Sequence, residues 1–188
     1  MKRKTAREIL IESFLELAEQ NNVDKISVKD ITDNCGYSTA TFYRQFKDKY
    51  DLIAYEYALK VESLFQKIDQ HDFSFEDMIT EGICLYESRK KYLVNLLLHT
   101  TGLDSFRHHM VEINYRIMSQ TIIKNKPDKK LDETEEMYLR FYCEGCTCVF
   151  CYWLLGRYLA DKEKLIKILV NSLPPSLHPY FHFEKSVK

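Results

Sequence analysis

Residues 26–52 read Ile26-Ser-Val-Lys-Asp-Ile-Thr-Asp-Asn-Cys35-Gly-Tyr-Ser38-Thr-Ala-Thr-Phe42-Tyr-Arg-Gln-Phe46-Lys-Asp48-Lys-Tyr-Asp-Leu52. Ser27, with Asp30 three residues on, has the form of a helix N-cap, and Ile31 to Cys35 continue that short helix until Gly36 breaks it. Ser38 to Thr41 cap a third helix, which carries Phe42 and Phe46 one turn apart and is expected to run through Phe46. Two short helices about a glycine turn result. The phenylalanines define an inner face, and a 100° wheel turns Ala40, Thr41 and Arg44 outward. A DNA-reading helix needs this layout: a hydrophobic back, short or flat polar side chains toward the major groove, and cations at the flanks for phosphates. Thr39, Ala40, Tyr43 and Arg44 compete for the bases. Lys2, Arg3, Lys4 and Arg7 form one cationic cluster, and Arg44, Lys47 and Lys49 a second; either could bind phosphate.

Upstream, Thr5-Ala-Arg-Glu8 forms a capping box before Leu10, Phe14 and Leu17 at helical spacing, ended by Asn21-Asn22. Glu8, Glu12, Glu16 and Glu19 fall opposite that stripe as a solvated face. Downstream, Asp48 caps a long helix to about Asp69, followed by the polar Gln70-His71-Asp72. Further helices are predicted from Ser74 to near Ser88, from Tyr92 to Leu98, from Asp104 to about Lys124, from Asp132 to Leu159, and from Asp161 to Leu173 before Pro174-Pro175. Lys126 to Lys130 is an exposed loop. From Met137 to Leu159 apolar residues occupy every side of the wheel, which predicts a helix covered by neighbours all round. The whole reads as about nine helices, all-α, with no period-two strand pattern, internal repeat or low-complexity tract.

The totals fit this reading. The 188 residues are 45% hydrophobic and 29% charged, with only 5 Gly and 4 Pro, which suits a soluble helical protein and excludes disordered and collagen-like classes. A net charge of −1 gives no overall basic field, so any contact with DNA must come from locally segregated charge. MKRKTAREIL has no apolar core of a secretory signal, and Cys146 to Gly156 is too short for a membrane span, so a cytoplasmic protein with no membrane partner is expected.

The motif Ile26-Ser-Val-Lys-Asp-Ile31, Cys35-Gly-Tyr-Ser38, Thr41-Phe-Tyr-Arg-Gln-Phe-Lys-Asp-Lys49 and Leu52 resembles the N-terminal motif of TetR-family regulators over roughly residues 5 to 53. The resemblance implies base contacts from Thr39, Ala40 and Tyr43, with Lys29, Ser38 and Thr41 nearby and Lys49 on phosphate. Tyr50 replaces the acid usual there, and Gln45 the usual His or Tyr. Tyr92 to His99, Thr101-Gly-Leu-Asp-Ser-Phe106, the Gly145–Trp153–Gly156 spacing and Leu173-Pro174 resemble, more weakly, regulators of dihydroxyacetone-kinase operons. Together these imply a helix-turn-helix domain over residues 1–48, a dimerisation and regulatory domain over residues 49–188, and a homodimer on double-stranded DNA. In the family the last two helices pair; here Gly145, Cys146, Val149, Phe150, Trp153, Leu165, Ile168 and Leu169 are the candidates, small Gly145, Cys146 and Thr147 allowing close crossing.

Other groupings admit a bland and a functional reading. Cys143, Cys146, Cys148 and Cys151 suggest zinc or thiol sensing, yet Cys146 and Cys148 project about 160° apart on a helix and cannot share one metal. Packing explains them better, and no metal or cofactor is expected. His108-His109, His178 and His182 join no carboxylate or cysteine cluster. Tyr86, Tyr92, Phe106, Tyr115, Phe141, Tyr142, Tyr152 and Trp153 could line an effector pocket or fill an ordinary core. No Ser-His-acid triad, phosphate-cradling loop or paired carboxylates emerge, so an enzyme is not expected. The expected function is a repressor released by a small effector. The alternatives are an activator or partner-gated regulator of the same fold and, remotely, an enzyme or helical interaction module without DNA.

Overall fold

The computed structural model describes residues 4–68 and 73–182; Lys2 and Arg3, the end of the fourth helix at Asp69, and Gln70 to Asp72 lie outside them. Among the described residues there are nine α-helices and no strand: α1 (Ala6–Gln20), α2 (Val28–Cys35), α3 (Thr39–Tyr43), α4 (Lys49–Ile68), α5 (Phe75–Ser88), α6 (Lys90–His99), α7 (Phe106–Asn125), α8 (Glu133–Leu154) and α9 (Lys162–Asn171). Short 3₁₀ turns add Val23–Lys25, Gly102–Asp104 and Pro175–Tyr180. No helix among these residues is long and apolar enough to cross a membrane.

Local chemistry sets most of the boundaries. Reciprocal capping boxes start α1 (Thr5 with Glu8), α2 (Ser27 with Asp30), α5 (Ser74 with Asp77) and α8 (Asp132 with Glu135). Each satisfies two backbone donors that a helix N-terminus leaves free. The Asp48 carboxylate accepts from the Tyr50 and Asp51 amides at 2.9 Å to open α4. Three expectations are corrected. α3 ends at Tyr43, and Phe46 is carried past it on a turn whose amide still donates to the Phe42 carbonyl at 2.9 Å. α7 starts at Phe106, two residues after Asp104, with Ser105 as its cap. α8 stops at Leu154 and is not covered all round: Met137 is 67% and Phe141 78% exposed.

Two packed units share α4. In the first, α1, α2 and α3 surround Leu10, Phe14, Ile31, Phe42 and Leu52, all fully buried. Burying each such side chain contributes about 1.5–3 kcal/mol. In the second, α4 packs against α5 and α7, α7 against α8, and α5 against α9. The Pro175–Tyr180 turn folds back toward α7 and α8, Phe181 packs on Phe75 (ring centroids 5.3 Å), and the Phe75 amide donates to the His182 carbonyl at 2.9 Å. α6 ties the two units together. Its Asn95 donates to the Ala18 and Asn21 carbonyls at 3.1 and 2.8 Å and accepts from the Val23 amide at 3.1 Å, while Lys91 donates to the Glu19 carbonyl at 2.9 Å. Beside it the buried Glu56 carboxylate of α4 meets Arg89 at 2.7 Å.

Gly36 closes α2 with φ 73° and ψ 21°, the left-handed conformation that bears the turn into α3. A Cβ there meets nothing within 4 Å, so backbone strain alone decides the effect of a substitution. Gly36→Ala is expected to lower unfolding stability by about 1 kcal/mol, read from urea denaturation; an unchanged midpoint contradicts this account of the turn.

Candidate nucleic-acid interface and interior cavity

α3 is only five residues long, and its orientation comes from what lies beneath it. Phe42 is fully buried and meets Phe46 at 5.7 Å, and Phe46 meets Tyr55 of α4 at 5.6 Å. Ser38 caps the first turn by accepting from the Thr41 amide at 3.2 Å, its hydroxyl lying 3.0 Å from that of Thr41. With its back fixed, α3 presents Ser38, Thr39, Ala40, Tyr43 and Arg44 to solvent, and Thr41 half-exposed. Tyr43 is 60% exposed while its ring edge rests on Phe42 at 5.6 Å.

The cations divide into two groups. Lys29, Arg44 and Lys47 are exposed and form no ion pair with a described residue. Lys49 faces inward: its ammonium donates to the carbonyls of Val23, Asp24 and Ile26 at 2.8, 3.0 and 2.8 Å, and burial pushes its pKa down. All three of its N–H groups are engaged, so the phosphate contact expected of Lys49 is corrected to a brace between α4 and the turn before α2. Arg7 is likewise bound within the chain, donating to the Gln45 side chain at 3.2 Å and its carbonyl at 3.4 Å and lying 4.9 Å above the Tyr55 ring. Lys4 pairs with Glu12 at 2.7 Å. Of the N-terminal cluster, the two described residues thus hold α1 and the segment after α3 in place.

A cavity of about 120 Å³ opens between α4, α5, α7, α8 and α9. Tyr86 and Tyr142 line it, joined by Tyr57, Phe65, Phe75, Phe150, Met78, Met110, Met118 and Asn114. The other aromatics expected there lie elsewhere. Tyr92 packs on Phe14 and beneath Arg89; Phe106 fills the core edge-on to Tyr57; Tyr115 sits under Arg140. Tyr152 packs against Tyr158 and Arg157, Phe141 is exposed, and Trp153 donates to the Ala160 carbonyl at 2.9 Å on an outer groove.

The faces of α8 and α9 are corrected in the same way. Cys146 and Leu169 line the cavity, and Phe150 and Leu165 are buried, so these four turn into their own chain. Gly145 and Ile168 are exposed, and Val149 and Trp153 half-buried. The exposed apolar stripe of α8 is made instead by Met137, Tyr138 and Phe141, continued past Gly145 by the half-buried Cys148, Val149 and Tyr152. The sequence carried a signal for it, since these positions fall on the wheel opposite Leu139, Cys143 and Phe150. Cys143, Cys146 and Cys151 are held protonated, burial pushing each thiol up to about 12. No group of three or more His, Cys, Asp or Glu able to hold a metal occurs among the described residues.

Comparison with known proteins gives this geometry a context. The family of bacterial regulatory proteins, tetR family, matches residues 10–55, and the transcriptional regulator C-terminal region matches residues 76–174. Among solved structures the fold is similar to a TetR transcriptional regulator from Rhodococcus sp. RHA1, with a TM-score of 0.62 at 15% identity, covering 89% of this chain and 94% of that one. It is similar also to the TetR family repressor AlkX from Dietzia sp. strain DQ12-45-1b, implicated in biodegradation of n-alkanes (TM-score 0.56, 17% identity, 93% and 98% covered). The dihydroxyacetone kinase operon activator DhaS gives a TM-score of 0.53 at 17% identity, with 95% and 98% covered. No curated protein sequence matches the chain. With both units matched in their order along the chain, it belongs to the TetR family: a helix-turn-helix transcriptional regulator and not an enzyme.

Proposed function

We propose that the chain acts as a homodimer that grips a palindromic operator in double-stranded DNA and represses transcription until a small effector enters the cavity. The DNA-reading unit is residues 1–48 and the regulatory unit residues 49–188. The observation that carries this reading is α3, seated on Phe42 and Phe46 with Thr39, Ala40, Tyr43 and Arg44 outward. Thr39, Ala40 and Tyr43 read bases; Lys29, Arg44 and Lys47 meet phosphates; Ser38 and Thr41 hold the start of the helix. Lys49 positions the unit from behind. Two such helices about 34 to 36 Å apart reach successive major grooves.

Pairing uses Met137, Tyr138 and Phe141 on α8, with Ile168 on α9, the large apolar side chains that these two helices leave exposed. The effector acts through α4, whose Tyr57 and Val61 wall the cavity and whose first residue is Lys49. A ligand that favours one setting of α4 shifts the distance between the reading helices by its differential affinity for the two settings. The similarity to DhaS, named as an activator, supports a second reading in which the same protein raises transcription or is gated by a protein partner; in vitro transcription from its own upstream region separates the two signs.

Gel-shift titration over a range of salt concentrations checks the assignment of cations. Arg44→Ala and Lys47→Ala should each reduce the slope of log affinity against log salt by about one. Lys49→Met should weaken binding to all DNA while leaving that slope in place, because it releases no counterion; a reduced slope would return Lys49 to the phosphates. Phe141→Glu should convert dimer to monomer in sedimentation velocity and abolish tight binding to a two-half-site palindrome, and a persisting dimer would refute the proposed pairing face.

A further inference from the structure

The lining of the cavity contains no Asp, Glu, Lys, Arg or His. Its two thiols, Cys143 and Cys146, are kept neutral by burial. A formally charged ligand would therefore lose its hydration and meet no opposite charge, a transfer that low-dielectric interiors oppose strongly. Size narrows the choice further. About 120 Å³ is close to the roughly 150 Å³ apolar cavity that stays dry and admits benzene.

One polar group is only partly engaged. Tyr86, stacked on Tyr57 with ring centroids 5.9 Å apart, turns its buried hydroxyl toward that of Tyr57 without reaching a hydrogen bond of ordinary length and angle. The neighbouring Tyr57 hydroxyl donates its proton to Asn114 Oδ1 at 3.0 Å. Buried hydroxyls are almost always well satisfied, and one held by so poor a contact can turn to a better acceptor. Burial also pushes the Tyr86 pKa well up, so it stays protonated as a donor.

Building on the effector reading above, we propose that the cavity takes a small uncharged molecule, one six-membered ring or its aliphatic equivalent in size, bearing a single oxygen that accepts the Tyr86 hydroxyl proton. Ring stacking and methionine sulfur contacts provide shape-tolerant affinity, and the oxygen sets orientation.

The test uses toluene, phenol, benzoate and benzylamine as probes at pH 7, with the full chain, by calorimetry and thermal shift. Toluene and phenol should bind and raise Tm, and the two ions should do neither. Tyr86→Phe keeps the ring and removes the donor, so the phenol-to-toluene affinity ratio should fall roughly 3- to 10-fold with toluene binding retained. Gly82→Ala places a methyl 3.4 Å from Leu64 Cδ1, at the edge of ordinary contact and in a helix that favours alanine. It should fold and weaken both neutral probes. Ions binding as well as phenol, no probe binding, an unchanged ratio in Tyr86→Phe, or full affinity in Gly82→Ala would each overturn the ligand assignment. Operator affinity, measured alongside, keeps the two readings apart: neutral probes that bind without altering it leave the ligand class standing and sink the effector role.

Discussion

The Lys49 ammonium, held by three backbone carbonyls from residues 23 to 26, fixes the geometry on which the rest depends. Those carbonyls lie in the turn between α1 and α2, where Val23 also accepts the Ile26 amide at 3.2 Å, and a single cation satisfies several acceptors at once. Its side chain starts α4, and the same helix walls the cavity some two to three turns later through Tyr57 and Val61. The unit that carries α3 and the unit that holds the cavity are thus joined by one continuous helix whose foot is pinned. Asn95 and Lys91 of α6 pin the other side of the same region, at the end of α1 and the start of the turn.

The buried pair of Glu56 and Arg89 lies where these supports meet, with the guanidinium also over the Tyr92 ring, which packs in turn on Phe14 of α1. Buried charge is costly unless paired, and this pairing has one register. It favours a defined seating of α4 against α5 and α6 over a sliding one. Apolar contacts alone, such as those of Leu64, Met78 and Ile83 deeper in the bundle, tolerate small shifts more easily.

How much of this could be read in the sequence follows from the range of each interaction. Thr5 with Glu8, Ser27 with Asp30 and Asp132 with Glu135 are three residues apart, so their helix starts are legible from the chain. Phe42 as the inward anchor of α3 is legible for the same reason, as are Thr39, Ala40 and Tyr43 outside it. Lys49 is different: its partners are 23 to 26 residues upstream, and spacing within α4 says nothing of them. The faces of α8 mark the other boundary. Phe141 and Tyr142 are adjacent aromatics, one exposed and one buried with its hydroxyl on the Leu169 carbonyl. Hydropathy cannot tell a surface covered by the same chain from one left open, because both are apolar for one physical reason.

The position of that open stripe also gives the molecule a timetable. Chains emerge from the ribosome N-terminus first, at about 5 to 20 residues per second, and domains fold as they appear. Tyr55, the α4 ring on which Phe46 rests, precedes Met137 by 82 positions, so the surface proposed to read DNA can be complete on the order of ten seconds before the strip proposed to join two copies exists. In the dimer proposed above, a nascent or truncated product would thus carry one hand without its pair, able to touch a half-site but not to hold an operator. On that reading, commitment to an operator waits, by the order of the helices alone, until α8 has been made.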